Sequence, residues 1–353
     1  MGNGALPDFL LFLLVLSILI LAHELGHFLA ARWRGVRVEE FGIGYPPRIA
    51  TLFEIGGTIF TLNLIPLGGF VRPAGEDDPE VAGGLAASSK TTRALVLSAG
   101  PLANGLLAFL AFFLAFKFAA PDLQRVMIAE VVPNTPAAAA GVRPGDLVRY
   151  VDDVPVDSFT AMQTAIRARL GQPIRLGVRR GNHDLELRLT PRVDYPEGQG
   201  PIGVILTYPS ARTSWLEASR LSAQSMGNQV IAILRLPGRL LAGDATPQET
   251  RVTGLKGIHD MLAWANNIDQ ASQRPFVTLN LIGVISLGLA MANLLPIPAL
   301  DGGRLMFVFL EAVFRKRVSP RIESFAHAVG FALILILMIY INLQDFVNPI
   351  QLP

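Results

Sequence analysis

DFLLFLLVLSILILAHELGHFLAAR, the stretch from Asp8 to Arg32, decides the fold of this chain. Between its two ends the only ionisable side chains are His23, Glu24 and His27. A run this long and this apolar is typical of a helix that spans the roughly 30 Å of hydrocarbon in a bilayer. Ionisable groups are costly at that depth and usually mark functional sites. The stretch therefore predicts a membrane protein with polar chemistry inside its first span.

The composition of the whole chain agrees with a membrane protein. Of its 353 residues 51% are hydrophobic and only 16% are charged, whereas soluble domains carry about 25% charged residues. The mean hydropathy is +0.43. A net charge of +2 gives no indication of nucleic-acid binding, and the absence of cysteine excludes disulfide scaffolds and cysteine-ligated metal sites.

Four segments are long enough and poor enough in charge to cross a bilayer, namely 7–33, 93–119, 274–314 and 323–344. The third is interrupted by Pro296 and Pro298, which predicts a broken helix. Lys and Arg cluster after the first span and again between the third and fourth. By the positive-inside rule we expect a multi-pass protein of the cell membrane with both termini outside the cytoplasm.

The remaining segments have different characters. Residues 36–75 contain two apolar strands around Gly56-Gly57, which predicts a membrane-associated β-hairpin. Residues 122–208 alternate short β-rich runs with turns, which indicates a separate, β-rich extracytoplasmic domain. Residues 209–272 include an amphipathic stretch, Trp215–Leu241, that suits either a helix in the membrane interface or one docked on the soluble domain. The predicted fold is thus a polytopic α-helical membrane protein with a β-hairpin and one soluble domain.

The ionisable residues of the first span form the pattern H-E-x-x-H. Residues i and i+4 share one face of a helix, so the imidazoles of His23 and His27 can reach one metal ion. Glu24 lies one position along, where it can act as general base on water. The alternative, that all three merely pair with polar groups of another helix, needs no metal. We predict a metal site because the pattern lies within a membrane span.

A catalytic zinc commonly has three protein ligands and one open position. Asp301 is the strongest candidate for the third ligand, because it ends the proline-broken segment in the same half of the membrane as the histidines. It could instead cap the helix that follows, and His327 could in principle reach the metal. Asn293 could hydrogen-bond the substrate or make an interhelical hydrogen bond.

These motifs together resemble the site-2 protease family of intramembrane zinc metalloproteases. The resemblance covers nearly the whole chain and lies in the following motifs: His23–His27, Gly42-Ile-Gly44 with Pro46, Pro66–Phe70 with Gly75-Glu76, Gly100-Pro101-Leu-Ala-Asn104, and Asn293…Pro296-x-Pro298-x-x-Asp301-Gly302. Residues 139–146 of this chain also resemble the bacterial subgroup of the family that has an extracytoplasmic PDZ domain. The chain departs from the family in two ways. It has room for only one PDZ domain, and its segment Thr253–Ile258 lacks the proline that the family usually has at this place.

The resemblance implies that His23, His27 and Asp301 bind Zn²⁺, that Glu24 is the catalytic base and that Asn293 helps to hold the substrate. The implied activity is hydrolysis of peptide bonds within or near transmembrane segments of other membrane proteins. The substrate stays open between an anti-sigma factor, a remnant signal peptide and other proteins. The PDZ domain could dock substrates or exclude those with bulky outside domains, and we favour exclusion. A metal transporter and an inactive membrane scaffold are the rival functions.

Overall fold

The computed structural model describes residues 5–196, 199–211, 213–244 and 251–350. Its contacts divide the chain into two compact units, a helical unit (Met1–Leu114, Ala218–Asn267 and Val277–Pro353) and a soluble unit (Ala115–Glu217 and Ile268–Phe276). The described elements in chain order are α1 (Ala5–Trp33), β1 (Val38–Ile55), β2 (Thr58–Pro73), α2 (Lys90–Leu114), β3 (Val126–Val131), α3 (Pro136–Ala139), β4 (Leu147–Val151), β5 (Val154–Pro155), α4 (Phe159–Arg167), β6 (Ile174–Arg180), β7 (His183–Leu189), β8 (Val204–Thr207), α5 (Trp215–Ala242), α6 (Leu255–Ser272), α7 (Phe276–Asn293), α8 (Asp301–Phe314) and α9 (Pro320–Val347).

Among the described residues, four helical stretches are long and apolar enough to span a membrane. They are Leu6–Trp33, Lys90–Ala119, Phe276–Asn293 and Pro320–Val347. The second continues α2 through a π-helical turn at Ala115–Ala119. The expected four spans and the β-structure are therefore confirmed, and the chain is a multi-pass membrane protein.

The first helix lies at the centre of the helical unit. Its N-terminal half packs Phe12, Val15 and Leu19 against α6 and α7 in one buried cluster, where van der Waals contacts between the helices stabilise the packing. Its C-terminal half approaches α2 closely, because a Cβ at Gly26 would lie only 2.3 Å from the carbonyl oxygen of Ala99. The glycine of the H-E-x-x-H motif thus permits backbone contact between α1 and α2.

The strands of the hairpin lie within the predicted 36–75 region, and they pair in a more complex way than a simple hairpin. The strands β1 and β2 pair antiparallel around Gly56-Gly57, and both glycines have positive φ. Residues in the first half of β1 pair twice, since Gly42 is a partner of both Phe70 and Thr61. The second half of β2 therefore forms one border of this small sheet. The aromatic contacts of Phe28 on α1 with Phe41 and Phe60 fix the sheet against the first helix.

The third apolar segment is divided into α7 and α8 by a non-helical stretch at 294–300. Ala299 has a φ of +85°, which is strained for a residue with a side chain. Its N–H donates to Nδ1 of His327 on α9 at 2.8 Å. At the same place Gly330 passes so close that a Cβ would lie 2.3 Å from the Pro298 carbonyl oxygen. The last helix therefore holds the break in position.

The amphipathic stretch forms α5, whose residues from Ala218 onward belong to the helical unit. Gln229 Nε2 donates to the Val284 carbonyl oxygen of α7 at 2.8 Å. This contact joins α5 to α7 within the helical unit. Whether α5 lies in the membrane interface stays a prediction, and residues 245–250 lie outside the described residues.

The segment that lacks the expected proline makes an ordered turn into α6. The buried carboxylate of Asp345, near the end of α9, accepts from Gly254 N at 2.8 Å and from Gly257 N at 3.0 Å. It also pairs with Arg251 at 3.1 Å. A negative charge is favourable at a helix N-terminus, so Asp345 stabilises the turn into α6 although the expected proline is missing.

The soluble unit is built on a six-stranded sheet with the order β7-β6-β4-β3-β8, and β5 pairs with β4. Its core holds the side chains of all the longer strands together with Met162 and Ile166 of α4. The segment 139–146 forms a tight turn with Gly141 and Gly145 at positive φ. Asp146 closes it, fully buried and bound by Arg180 through two hydrogen bonds of 2.8 Å. These hydrogen bonds raise the pKa of Arg180.

Candidate metal centre

The two histidines of the motif converge on one point beside α2. Their Nε2 atoms lie 3.1 Å apart, and the rings stand nearly perpendicular, at 82°, with centroids 4.7 Å apart. The helical spacing of His23 and His27 explains why both face the same way. Both side chains are only 12% exposed. Two imidazole nitrogens thus meet at a largely buried position.

Asp301 completes the cluster from the first position of α8. Its Oδ2 lies 3.1 Å from His23 Nε2 and 3.4 Å from His27 Nε2. The residue before it, Leu300, occupies the N-cap position, and no side chain caps this helix. The alternative that Asp301 is the helix cap is therefore wrong, because its carboxylate is directed toward the histidines instead.

The geometry of this cluster fits a tetrahedral zinc ion. Ligand atoms about 2.0–2.2 Å from zinc at tetrahedral angles are roughly 3.3–3.6 Å apart, and the three separations here, 3.1, 3.1 and 3.4 Å, are within about 0.2 Å of that range. Asp301 Oδ2 is buried and has no hydrogen-bond partner among the described residues, which is costly unless a cation satisfies it. Among the described residues, His23, His27 and Asp301 form the one group of this kind able to hold a metal.

Glu24 lies next to this cluster but is held by a different element. Its Oε2 accepts a hydrogen bond of 3.1 Å from the main-chain N–H of Val71 on β2. Glu24 is not one of the three converging residues. The outer border of β2 therefore adjoins the carboxylate that the sequence predicts as the base.

The second helix contributes three residues that motif analysis alone did not assign a role. The carbonyl oxygen of Val96 lies 2.8 Å from His27 Nδ1. Gly100 leaves room for the imidazoles, since a Cβ there would lie 2.3 Å from His27 Nε2. Asn104, which is buried, lies 3.5 Å from His23 Nδ1 through its Nδ2. The sequence signal for two of these residues is Gly100-Pro101-Leu-Ala-Asn104, where glycine and asparagine share a face of a membrane helix.

The other candidates lie elsewhere. Asn293 is the last residue of α7, and its side chain makes no hydrogen bond within the described residues. His327 bonds to Ala299 N and does not join the metal cluster. His183 begins β7, and His259 pairs with Asp260 at 3.2 Å. Of the histidines outside the motif, none within the described residues reaches Asp301 and its two partners.

A second charged cluster lies one helical turn beyond Asp301. Arg304 of α8 pairs with Glu76 and with Asp77, the latter at 3.5 Å. Both acids belong to the segment that follows β2. Burial raises the pKa of Glu76, and the Arg304 guanidinium opposes this shift. These ion pairs connect the end of the sheet to the helix that begins with Asp301.

The chain is similar to known proteins over nearly its whole length. The model of peptidase family M50 matches residues 11–337. A protein of Agrobacterium fabrum that is named as a zinc metalloprotease is 31% identical over 98% of this chain and 97% of its own length. Metalloprotease MmpA of Caulobacter vibrioides is 30% identical over 94% of both chains. Zinc metalloprotease RasP of Geobacillus kaustophilus is 27% identical over 96% of this chain and 98% of its own.

Proposed function

Because the chain belongs to peptidase family M50 and is a membrane-bound zinc metalloendopeptidase, we propose that it hydrolyses peptide bonds within or near transmembrane segments of other membrane proteins. His23, His27 and Asp301 hold the zinc, and Glu24 is the general base. The observation that carries this proposal is the convergence, at zinc-like separations, of His23 and His27 on a membrane-spanning helix with Asp301 at the start of α8. Membership of a peptidase family disfavours the transporter and scaffold alternatives.

The residues of this chain divide the chemistry among them. When bound, zinc acts as a Lewis acid that polarises the scissile carbonyl and acidifies water. Glu24 takes the proton of the attacking water and returns it to the leaving amine. The hydrogen bond from Val71 N orients one carboxylate oxygen and leaves the other to receive that proton. Asn293 ends α7, and its side chain makes no hydrogen bond within the described residues. In this proposal it donates a hydrogen bond to the substrate.

A helical substrate must be unwound before it can be cut, because its carbonyls are occupied by its own hydrogen bonds. The second half of β2 offers a border to which an extended segment can add as a further strand. Val71 N on this border already donates to Glu24, so a strand added here would pair with neighbouring main-chain groups of β2 and pass beside the base. We propose that the sheet of β1 and β2 holds the unwound substrate in this way.

The decisive experiment measures zinc content and cleavage of a model transmembrane substrate by the purified full chain. Glu24→Gln should keep stoichiometric zinc and lose cleavage by at least 10³-fold, because the base is removed while the ligands stay. Glu217→Gln is the matched control, since Glu217 is an exposed residue at the start of α5, and it should retain cleavage. Cleavage retained by Glu24→Gln would refute the assignment of the base.

We propose further that the soluble unit is a PDZ domain that docks an extended peptide. A groove of 510 Å³ lies between α4 and β8, lined by Phe159, Met162, Gln163 and Ile166 on one side and by Val204, Ile205 and Leu206 on the other. Because β8 is the last strand in the sheet order, its outer edge can accept a further strand. This groove supports docking over the size exclusion that the sequence analysis favoured.

A groove-blocking substitution distinguishes the two roles more sharply than deletion of 122–208. Ile205 lines the groove and is 47% exposed, so Ile205→Arg should fill the groove without disturbing the core. Docking predicts slower cleavage of an intact substrate by this variant, whereas exclusion predicts no change. Val193→Arg, at another exposed apolar position of the same unit, is the control for the added charge.

We propose that both termini and the soluble unit lie outside the cytoplasm. In support, Asn266 of α6 donates to Asp8 at 3.0 Å and the start of the same helix binds Asp345, so the start of α1 and the end of α9 both contact α6, and Lys and Arg cluster in the connections at the opposite ends of the spans. The chain contains no cysteine, so a single introduced cysteine can be labelled cleanly. Lys316→Cys should resist a membrane-impermeant maleimide in intact cells, and His183→Cys should react. The reverse pattern would overturn the orientation.

A further inference from the structure

The two motif histidines are both contacted from α2 through their Nδ1 atoms. His27 Nδ1 lies 2.8 Å from the Val96 carbonyl oxygen. His23 Nδ1 lies 3.5 Å from the carboxamide Nδ2 of Asn104. Val96, Gly100 and Asn104 are spaced four residues apart, so they form one stripe along α2. This stripe provides one partner for each imidazole, with a glycine between the two.

The chemistry of a metal-bound imidazole decides what each partner must be. When Nε2 binds a metal, the ring proton resides on Nδ1, which must then donate to an acceptor. The Val96 carbonyl oxygen is such an acceptor for His27. For His23, the acceptor on the same carboxamide is Asn104 Oδ1, a buried atom that has no hydrogen-bond partner in the described part of the chain. The residue is only 1% exposed, so solvent cannot satisfy this oxygen.

A carboxamide can exchange its oxygen and its amide by a half-turn about the Cβ–Cγ bond. That half-turn brings Oδ1 to the position 3.5 Å from His23 Nδ1, and a shift of about 0.5 Å then gives an ordinary hydrogen bond. The main chain of Asn104 stays fixed meanwhile, because Ser286 Oγ of α7 donates to its carbonyl oxygen at 2.8 Å. The side chain can therefore turn without movement of the helix.

We propose that Asn104 is the positioning residue of His23, and that its Oδ1 accepts the Nδ1 proton when Nε2 binds the metal. This role fixes the tautomer and the ring orientation of His23 as the Val96 carbonyl oxygen does for His27. The inference rests on the proposed zinc site and extends it to a side chain that touches neither metal nor substrate. Loss of such a partner typically weakens metal affinity by about 10–100-fold.

The test compares zinc affinity, by competition with a chelator, among variants of the full-length protein in detergent. Asn104→Leu keeps the size of the side chain but removes the acceptor, so zinc should bind about 10–100-fold more weakly. Asn104→Asp restores an acceptor and should bind within about threefold of the wild type. Ser98→Ala is the matched control, because Ser98 lies on the same helix and its Oγ donates to the Leu95 carbonyl oxygen at 3.2 Å, and it should also stay within threefold.

Two results would overturn the inference. One is wild-type affinity in Asn104→Leu, and the other is an equal loss in Asn104→Leu and Asn104→Asp, which would indicate a packing role. The spectrum of bound Co²⁺ gives a second readout, because a reoriented His23 alters the ligand field while a mere loss of stability does not. The variant His23→Ala tests the zinc site itself, separately from Asn104. If it binds zinc as the wild type does, then His23 is not a zinc ligand and the error lies in the proposed function.

Discussion

Replacement of Gly100 by alanine tests the metal centre most directly. A Cβ added at Gly100 would lie 2.3 Å from His27 Nε2 and 2.8 Å from His23 Cε1. Ordinary contacts between such atoms are about 3.5 Å, so His27 Nε2 must move away by about 1 Å. In helix propensity alone, the same substitution stabilises a helix by roughly 0.5–1 kcal/mol. The variant should therefore fold as well as the wild type and lose its metal.

The expected size of the effect follows from the tolerance of metal coordination. Ligand distances in working sites lie within about 0.2 Å of their ideal values, and a displacement of 1 Å removes His27 as a ligand. Even the loss of a residue that only orients a ligand costs about 10–100-fold in affinity. We expect Gly100→Ala to weaken zinc binding by at least about 100-fold, which corresponds to about 2.8 kcal/mol.

The assay is zinc affinity by chelator competition, together with the helical circular dichroism signal and its thermal midpoint. Gly105→Ala is the matched control, since this glycine is on the same helix and a Cβ there meets no atom within 4 Å. It should bind zinc as the wild type does. If Gly100→Ala binds zinc within threefold of the wild type, the packing of α2 against the histidines does not shape the metal site and the reasoning fails.

Three further substitutions test the framework around the site. Arg180→Leu leaves the buried carboxylate of Asp146 without its partner, and should lower the denaturant midpoint of the soluble unit; an unchanged midpoint would contradict this. His327→Phe removes the acceptor for Ala299 N, and should slow cleavage about tenfold while zinc content stays above half of the wild-type value; full activity would show that the break holds itself. Asp345→Ala removes the carboxylate bound by Arg251 and two main-chain N–H groups, and should lower the thermal midpoint in detergent, whereas a constant midpoint would argue against this anchoring of α6.

Much of the site could be predicted from local sequence because its residues are rare in their setting. His23, Glu24 and His27 stand out within a span that has no other ionisable group, and their helical spacing determines that the two imidazoles share a face. Pro296 and Pro298, before Asp301, likewise stand out in an apolar segment and predict that its helix is interrupted. The family resemblance added the role of each residue, and the relation of the chain to M50 peptidases confirms the class of enzyme.

Other features depend on contacts between distant segments, which local patterns do not encode. From the sequence, Asp301 could either cap a helix or join the histidines. Only the position of α8 beside α1 decides between these two roles. The sequence predicted the region of the sheet but not the double pairing of the first half of β1, because that pairing joins residues far apart in the chain. His327 looked like a possible ligand, yet it holds the main chain of Ala299.

The sequence by itself therefore determined that this is a membrane protein with four spans, and which span carries the polar chemistry. Hydrophobic length and the cost of burying charge are properties of each segment alone, so they can be derived without a structure. Only the tertiary structure decided which groups orient the histidines and the base, namely the Val96 carbonyl oxygen, the Asn104 side chain and the Val71 N–H. Two of these three are main-chain groups that every residue possesses, so no residue type could reveal them, and only the packing of α2 and β2 against α1 selects them.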